Sequence, residues 1–249
     1  MCTHCGCSSD KATLSASTDS APKRVLNVKQ DESTLHLQHA LLAGNKAIAR
    51  HNRRQFEQDN VTCINLMGTP GAGKTQLLET LLKIHAEIAT NMLVLEGDQE
   101  SVNDAQRIET AGGTALQINT GIGCHLDADM IRVGISALSP PQDSLLFIEN
   151  VGNLVCPALF DLGESARITM MAVTDGEDKP VKYPHMFSQC DLIIINKADL
   201  LPYVDFDLKR VQHDISHLNP KAKVLLLSAK TGQGMEAFDA WLQGIFKHG

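Results

Sequence analysis

The stretch Gly68-Thr-Pro-Gly-Ala-Gly-Lys-Thr75 carries the most specific chemistry in this sequence. It reads G-x-x-x-x-G-K-[ST], preceded by the apolar run VTCINLM and followed by a helix-period segment expected from Gln76 to Ala89. Its glycines let backbone N–H groups turn inward around phosphate oxygens, and the positive end of the following helix adds to the attraction. Gly68, Thr69, Gly71, Ala72, Gly73, Lys74, Thr75 and Gln76 are therefore expected to hold nucleotide phosphates. Lys74 is expected at the β- and γ-phosphates, and the Thr75 hydroxyl on Mg2+. A carboxylate must complete that ion's shell, and two positions offer one. Glu149 ends the apolar run LLFIE, with Gly152 three residues on, like the D-x-x-G element of GTPases with Glu in place of Asp. That exchange favours contact with Mg2+ through water. Asp98 ends NMLVLEGD, at what should be a neighbouring strand end. At the carboxyl edge of a parallel sheet both acids converge on the phosphate loop, so Lys74, Asp98 and Glu149 form the expected catalytic group.

Two further strand ends point to the base. Asn196-Lys197-Ala198-Asp199 closes the run DLIIIN, and Ser228-Ala229-Lys230 closes KVLLLS. A carboxylate at Asp199 accepts from guanine N1–H and the exocyclic amine, a donor pair that adenine lacks. Leaving such a group unpaired is costly, so the site selects GTP and GDP over ATP. Lys197 and Lys230 can lay their methylene stems over the purine faces. Asn196 is expected to tie the loops together, and the Ala229 N–H to meet guanine O6.

Thiols and imidazoles form a second chemistry. Cys124-His125 lies in a Gly-rich loop after TALQINT, and Cys156 lies four residues past Gly152. Two thiolates and an imidazole suit Zn2+ or Ni2+. Three protein ligands leave a position for water or for a group from a second subunit. Cys156 hangs from the segment that would sense a γ-phosphate, so movement of that segment would move a metal ligand. The other reading of these three residues is buried cysteines beside a capping histidine. Cys63 and Cys190 fall inside apolar strands and are assigned to the core. Cys2, Cys5 and Cys7 cluster beside the α-amine, where they can wrap one metal ion without any fold; a redox disulfide is the alternative. His4 reads as exposed.

These residues need a scaffold, and the pattern from Val61 onward supplies one. The runs VTCINLM, NMLVLEG, TALQINT, SLLFIEN, ARITMMAV, CDLIIIN and KVLLLSA are separated mostly by helix-period segments. Such alternation, with continuously apolar strands, implies an α/β fold: a mostly parallel sheet covered by helices on both faces. The connection 176–189 is short and polar and is the least regular crossover. Residues 35–58 read as one amphipathic helix capped by Ser33 or Thr34, leading a GTP-binding domain over 35–249. Residues 1–34 hold the cysteine cluster and a Ser/Thr/Lys/Asp-rich stretch that reads as a flexible linker.

Composition bounds the setting. The chain has 249 residues, 43% hydrophobic and 20% charged, enough for one sizeable domain with an appendage. With 22 basic and 29 acidic residues, its formal charge of −7 argues against general binding to nucleic acid or anionic membrane. No apolar run approaches the roughly 18–20 residues that span a bilayer. MCTHCGCSSDK has no basic stretch leading into an apolar core, so export is not expected and the cysteines should stay reduced in a cytoplasm.

Taken together, MCTHCGC, GTPGAGKT, LEGDQ, GCHLDA, ENVGNLVCPALFDLGE and NKADL resemble the hydrogenase-maturation nickel-incorporation GTPase family (HypB-type). The resemblance covers nearly the whole chain, and ENVGNLVCPA with GCHLDA is more specific than the phosphate loop. It implies a P-loop NTPase of G-domain type, a dimeric GTPase that passes nickel to a [NiFe]-hydrogenase large subunit. It also implies a small zinc-containing partner from the same pathway. By the same resemblance Cys2, Cys5 and Cys7 match an N-terminal nickel site, and Cys124, His125 and Cys156 a zinc or nickel site in the G domain. One departure is visible: residues 8–34 contain no histidine, so bulk nickel storage in a His-rich tract is not expected. Two other readings remain: a nickel GTPase serving another enzyme such as urease, and a nucleotide-gated module in which zinc only staples a dimer.

Overall fold

The structure is a computed structural model that describes residues 11–16, 24–29, 32–87, 89–98, 103–121 and 123–246, with side chains from residue 40 onward. Cys2, Cys5 and Cys7 lie outside the described residues.

The stretch expected to be a flexible linker contains two strands, β1 (Lys11–Ala16) and β2 (Arg24–Lys29), paired antiparallel with Leu14 opposite Leu26. The few apolar residues there are spaced at strand period, which overrides the polar average. Helix α1 (Glu32–Gln58) starts ahead of the expected cap, so Ser33 and Thr34 lie in its first turn, and it runs straight through residue 34.

Every apolar run named above becomes a strand: β3 (Thr62–Gly68), β4 (Met92–Asp98), β5 (Thr114–Asn119), β6 (Leu145–Glu149), β7 (Ala166–Ala172), β8 (Leu192–Asn196) and β9 (Lys223–Leu226). They form one seven-stranded sheet in the order β5-β4-β6-β3-β7-β8-β9, with parallel pairing throughout. Intervening helices are α2 (Lys74–Ile84), α3 (Asn103–Thr110), α4 (Ala128–Leu138), α5 (Lys179–Lys182), α6 (Pro184–Ser188), α7 (Leu208–Leu218) and α8 (Met235–Phe246). The irregular crossover 176–189 is thus met by the two short helices α5 and α6. Helix α2 begins at Lys74 and stops at Ile84, shorter than the expected Gln76–Ala89 at its far end. His85 closes it, with Nε2 set 2.6 Å from Asp239 of α8.

Strand residues alternate between faces, as the period of two demands. Ile64, Leu66, Met92, Val94, Leu192 and Ile194 pack with Leu77, Leu81, Ile108 and Phe238, under α2, α3 and α8. On the other face Leu93, Leu95, Leu146 and Ile148 meet α1 and α4 through Phe56, Ile131 and Ile135. Next to them Met67, Met171, Ile193 and Ile195 meet α6 and α7 through Phe187, Val211 and Ile215. Cys63 and Cys190 are part of this core. Burial raises the Cys63 thiol well above its ordinary value and pushes Cys190 up to about 11, so both stay protonated and inert. Among the described residues no helix is long and apolar enough to cross a membrane.

Candidate nucleotide and metal site

The phosphate loop joins β3 to α2. Gly73, at the helix cap, has φ 92°, and a Cβ there would lie 2.7 Å from the Asn196 amide nitrogen. Only glycine meets both demands. Lys74 is the first residue of α2 and is 8% exposed. Thr75 Oγ1 donates to Glu149 Oε1 at 2.8 Å. The Thr69 hydroxyl is committed to the carboxylate of Asp175, a residue after β7 that the spacing did not single out. Gln76 contacts Thr80 at 3.4 Å, and Thr80 donates to the Ala229 carbonyl at 2.7 Å, so α2 is fastened to the loop after β9.

Acids gather beneath this loop. Glu149 is buried, and burial raises its pKa against the opposing pull of Lys74 and the Thr75 hydrogen bond. Asp98 ends β4 partly buried, as expected of its strand. The sequence reading missed Glu96, two residues earlier on the same face. Pairing of β4 with β6 sets Glu96 directly opposite Glu149, and Glu96 is 3% exposed. Burial first, then the charge of Glu149, pushes Glu96 up to about 8. One oxygen of each, Glu96 Oε2 and Glu149 Oε2, is enclosed without a hydrogen-bond partner among the described residues. Hard oxygen donors around a buried carboxylate with one oxygen lacking a hydrogen-bond partner among the described residues fit a Mg2+ ion, which would be held by Thr75, Glu149 and Asp98.

The loops expected to read the base are locked to the phosphate loop by one side chain. Asn196 donates to the Ala72 carbonyl at 2.7 Å and accepts from the Ala229 N–H at 2.9 Å. This is the tie expected of Asn196; the Ala229 N–H, expected at guanine O6, donates to Asn196 in this structure. Lys197 adopts a left-handed φ of 62° that turns the chain into the loop. Asp199 Oδ1 lacks a partner among the described residues, as suits a carboxylate that receives donors from a base. Ser228 accepts from the Thr231 N–H at 3.2 Å and shapes the last loop, while Lys230 stands exposed.

Cys124, His125 and Cys156 come together, with ligand atoms within 4.8 Å of one another. Cys124 Sγ lies 2.8 Å from Cys156 Sγ, and the His125 ring stacks on Phe160 at 3.9 Å. Burial lowers the His125 pKa, with Asp127 opposing, which favours the neutral imidazole that a metal requires. Asp127 caps α4 by accepting from Met130 N at 2.8 Å, fixing the end of the ligand loop.

Buried amides join this cluster to the phosphate site. Asn150, next to Glu149, accepts from Leu126 N at 3.2 Å and donates to Asn65 Oδ1 of β3 at 3.2 Å. Asn65 in turn donates to Glu164 at 3.2 Å. Asn153 pairs with Gly68 in an isolated bridge and reaches Cys156 Sγ at 3.6 Å, while Gly152 abuts Pro70 so closely that a Cβ would lie 2.9 Å from its Cα. From the other side α1 holds the same loops: Asn45 accepts from Ala128 N at 2.8 Å, and Asn52 donates to the carbonyls of Ala128 and Leu162. None of these asparagines was singled out by motif spacing.

Comparison with known proteins agrees with this fold. The family model for the CobW/HypB/UreG nucleotide-binding domain matches residues 62–226. The chain is 49% identical over 212 residues to the hydrogenase maturation factor HypB of Rhizobium leguminosarum bv. viciae, covering 85% of this chain and 71% of that one. Among solved structures it resembles HypB of Helicobacter pylori in complex with nickel, with a TM-score of 0.77, 35% identity, and coverage of 82% and 96%. HypB of Archaeoglobus fulgidus gives 0.76 and 40% identity, with coverage of 82% and 100%.

Proposed function

The chain belongs to the CobW/HypB/UreG nucleotide-binding family and, within it, to the hydrogenase maturation factors; on that premise we propose that it is a GTPase and nickel metallochaperone that couples GTP binding and hydrolysis to nickel insertion into the [NiFe]-hydrogenase large subunit. The observation that carries this reading is the shared segment 149–156, which bears Glu149 against Thr75 at one end and Cys156 against Cys124 at the other.

In this reading the amides of Gly71 to Thr75 bind the phosphates, and Lys74 neutralises charge that spreads over the γ-phosphoryl oxygens. Thr75, Asp98 and Glu149 would hold Mg2+, which would supply further neutralisation of phosphate charge. Asp199 selects guanine, and Lys197 and Lys230 flank it. Nickel is cargo, taken up by Cys2, Cys5 and Cys7; Cys124, His125 and Cys156 hold zinc or nickel. A homodimer dependent on GTP and metal, a small zinc-containing maturation protein and the large-subunit precursor are its partners, in a cytoplasm that keeps the thiols reduced. Neither nucleic acid nor membrane belongs to this scheme.

The test is titration of nickel and zinc into the full chain in its nucleotide-free, GDP and GTP-analogue states, with mass measured in parallel. Nickel affinity and mass that respond to the γ-phosphate support the proposal. A dimer that forms with zinc while nickel affinity ignores the nucleotide identifies a zinc-stapled module instead. Delivery to apo-urease rather than to the hydrogenase precursor would reassign the client.

A further inference from the structure

Helix α7 buries Val211 and Ile215 one turn apart against the core. At 100° per residue, positions two further along face the opposite way. Those positions are His213 and His217, and both are exposed. Residues four apart on a helix are neighbours, and their ring centroids lie 4.3 Å apart with the planes tilted by 55°. His217 Nδ1 sits 2.9 Å from the His213 carbonyl oxygen. A carbonyl only accepts, so Nδ1 must carry the proton, which leaves Nε2 with its lone pair outward. Histidines that ligate metals are commonly oriented in this way, by donating the other ring nitrogen to a backbone carbonyl.

The geometry points to His213 and His217 as a surface site for a borderline divalent transition-metal ion, Ni2+ in this chain. Two imidazole nitrogens that each bind at about 2.1 Å must lie within about 4 Å of each other, a span the ring spacing allows. Imidazole suits Ni2+, Cu2+ and Zn2+, whereas Mg2+ and Ca2+ prefer oxygen. With two protein ligands the remaining positions belong to water, so the ion exchanges freely. Such a site collects metal rather than storing it, on a chain whose residues 8–34 offer no histidine. It shares no residue with the proposed delivery machinery and needs only imidazole chemistry, so it stands whether or not the chain delivers nickel.

The experiment is equilibrium dialysis of the full chain against Ni2+ in excess Mg2+, comparing the wild type with His213→Ala/His217→Ala and with His185→Ala, an exposed histidine on α6. Alanine favours the helix at both α7 positions, so the double variant folds. It should bind about one Ni2+ equivalent fewer, with GTP hydrolysis unchanged, and each single variant should lose the same equivalent. With Cu2+ in place of Ni2+, electron paramagnetic resonance should show two-nitrogen hyperfine structure that the double variant loses. Equal stoichiometry in wild type and double variant overturns the proposal. So does an equal loss in His185→Ala, which would mean that any surface imidazole suffices.

Discussion

Replacing Asn150 with alanine should weaken the communication between nucleotide and metal more than it weakens either site. The side chain is 1% exposed, and its loss strands two buried groups, the Leu126 N–H and Asn65 Oδ1. Each orphan costs about 1–3 kcal/mol, so global stability should fall by about 2–6 kcal/mol. Coupling between two sites is typically about 1–3 kcal/mol, or roughly a 5- to 150-fold change in affinity. Asn150 provides one of two visible routes, ending on the residue after His125; Asn153 provides the other, ending on Cys156 Sγ. Asn150→Ala should therefore remove about half of the coupling free energy, and Asn150→Ala with Asn153→Ala nearly all of it. The assay is competition with a chromophoric chelator at fixed pH, giving metal affinity with GDP and with a non-hydrolysable GTP analogue. Fixed pH matters because thiolates shed protons as they bind metal. Asn52→Ala is the control, since it also strands two buried carbonyls, those of Ala128 and Leu162, where α1 braces the metal-cluster loops, and its bonds do not run to the phosphate loop. It should lower stability comparably and leave the affinity ratio intact. A ratio unchanged in the Asn150/Asn153 double variant, or one that falls equally in Asn52→Ala, refutes coupling through these amides.

Lys74→Ala should abolish GTP hydrolysis in a phosphate-release assay while nickel still binds at Cys2, Cys5 and Cys7; near-normal turnover would remove Lys74 from the phosphate site. Asp199→Asn should lower GTP affinity and raise relative preference for the xanthine nucleotide, because the amide offers a donor where guanine also donates. Equal loss of both nucleotides in a folded variant would count against Asp199 as base reader. Glu96→Gln concerns pH: with its folded pKa raised to about 8 from 4.5, Glu96 binds its proton more tightly folded than unfolded. Its burial therefore costs stability as pH rises through that window, by up to about 3 kcal/mol at pH 7. The nucleotide-free variant should gain melting temperature over wild type at pH 7–8 and lose that gain near pH 4.5; a gain that does not vary with pH would refute this.

What the sequence disclosed depended on how local the physics was. The strands β3, β4, β6, β7 and β8 are buried on both faces and so read as unbroken apolar runs; even β5 and β9, at the edges, keep enough of that character. Gly73 and Lys74 were visible because phosphate binding constrains residues next to each other in the chain. Glu96 was not, although it stands two residues from Asp98, because its meaning comes from Glu149 across the sheet, more than fifty positions away. Asn65 and Asn150 each interrupt or end an apolar run and so look like solvated breaks. Only the fold reveals that they satisfy one another in the interior. The β1–β2 pair escaped notice for the opposite reason: average composition hid a short strand-period pattern.

The placement of these polar residues also explains why a metal cluster and a phosphate loop share one edge. In a parallel sheet every strand ends its run at the same edge, so the loops after β3, β5 and β6 meet there whatever their sequences. The loop after β5 brings Cys124 and His125, the loop after β6 brings Cys156, and the loop after β3 is the one proposed to bind phosphate. Gly152 lies against Pro70 with no room for a side chain, so the β6 loop cannot shift past the phosphate loop without displacing it. A buried amide chain behind that contact adds directional bonds in place of deformable apolar packing, and each bond is lost outright when broken. Under the proposed function, rearrangement on either side is transmitted as bonds made or lost, and linkage then requires metal and nucleotide to alter each other's affinity by the same factor.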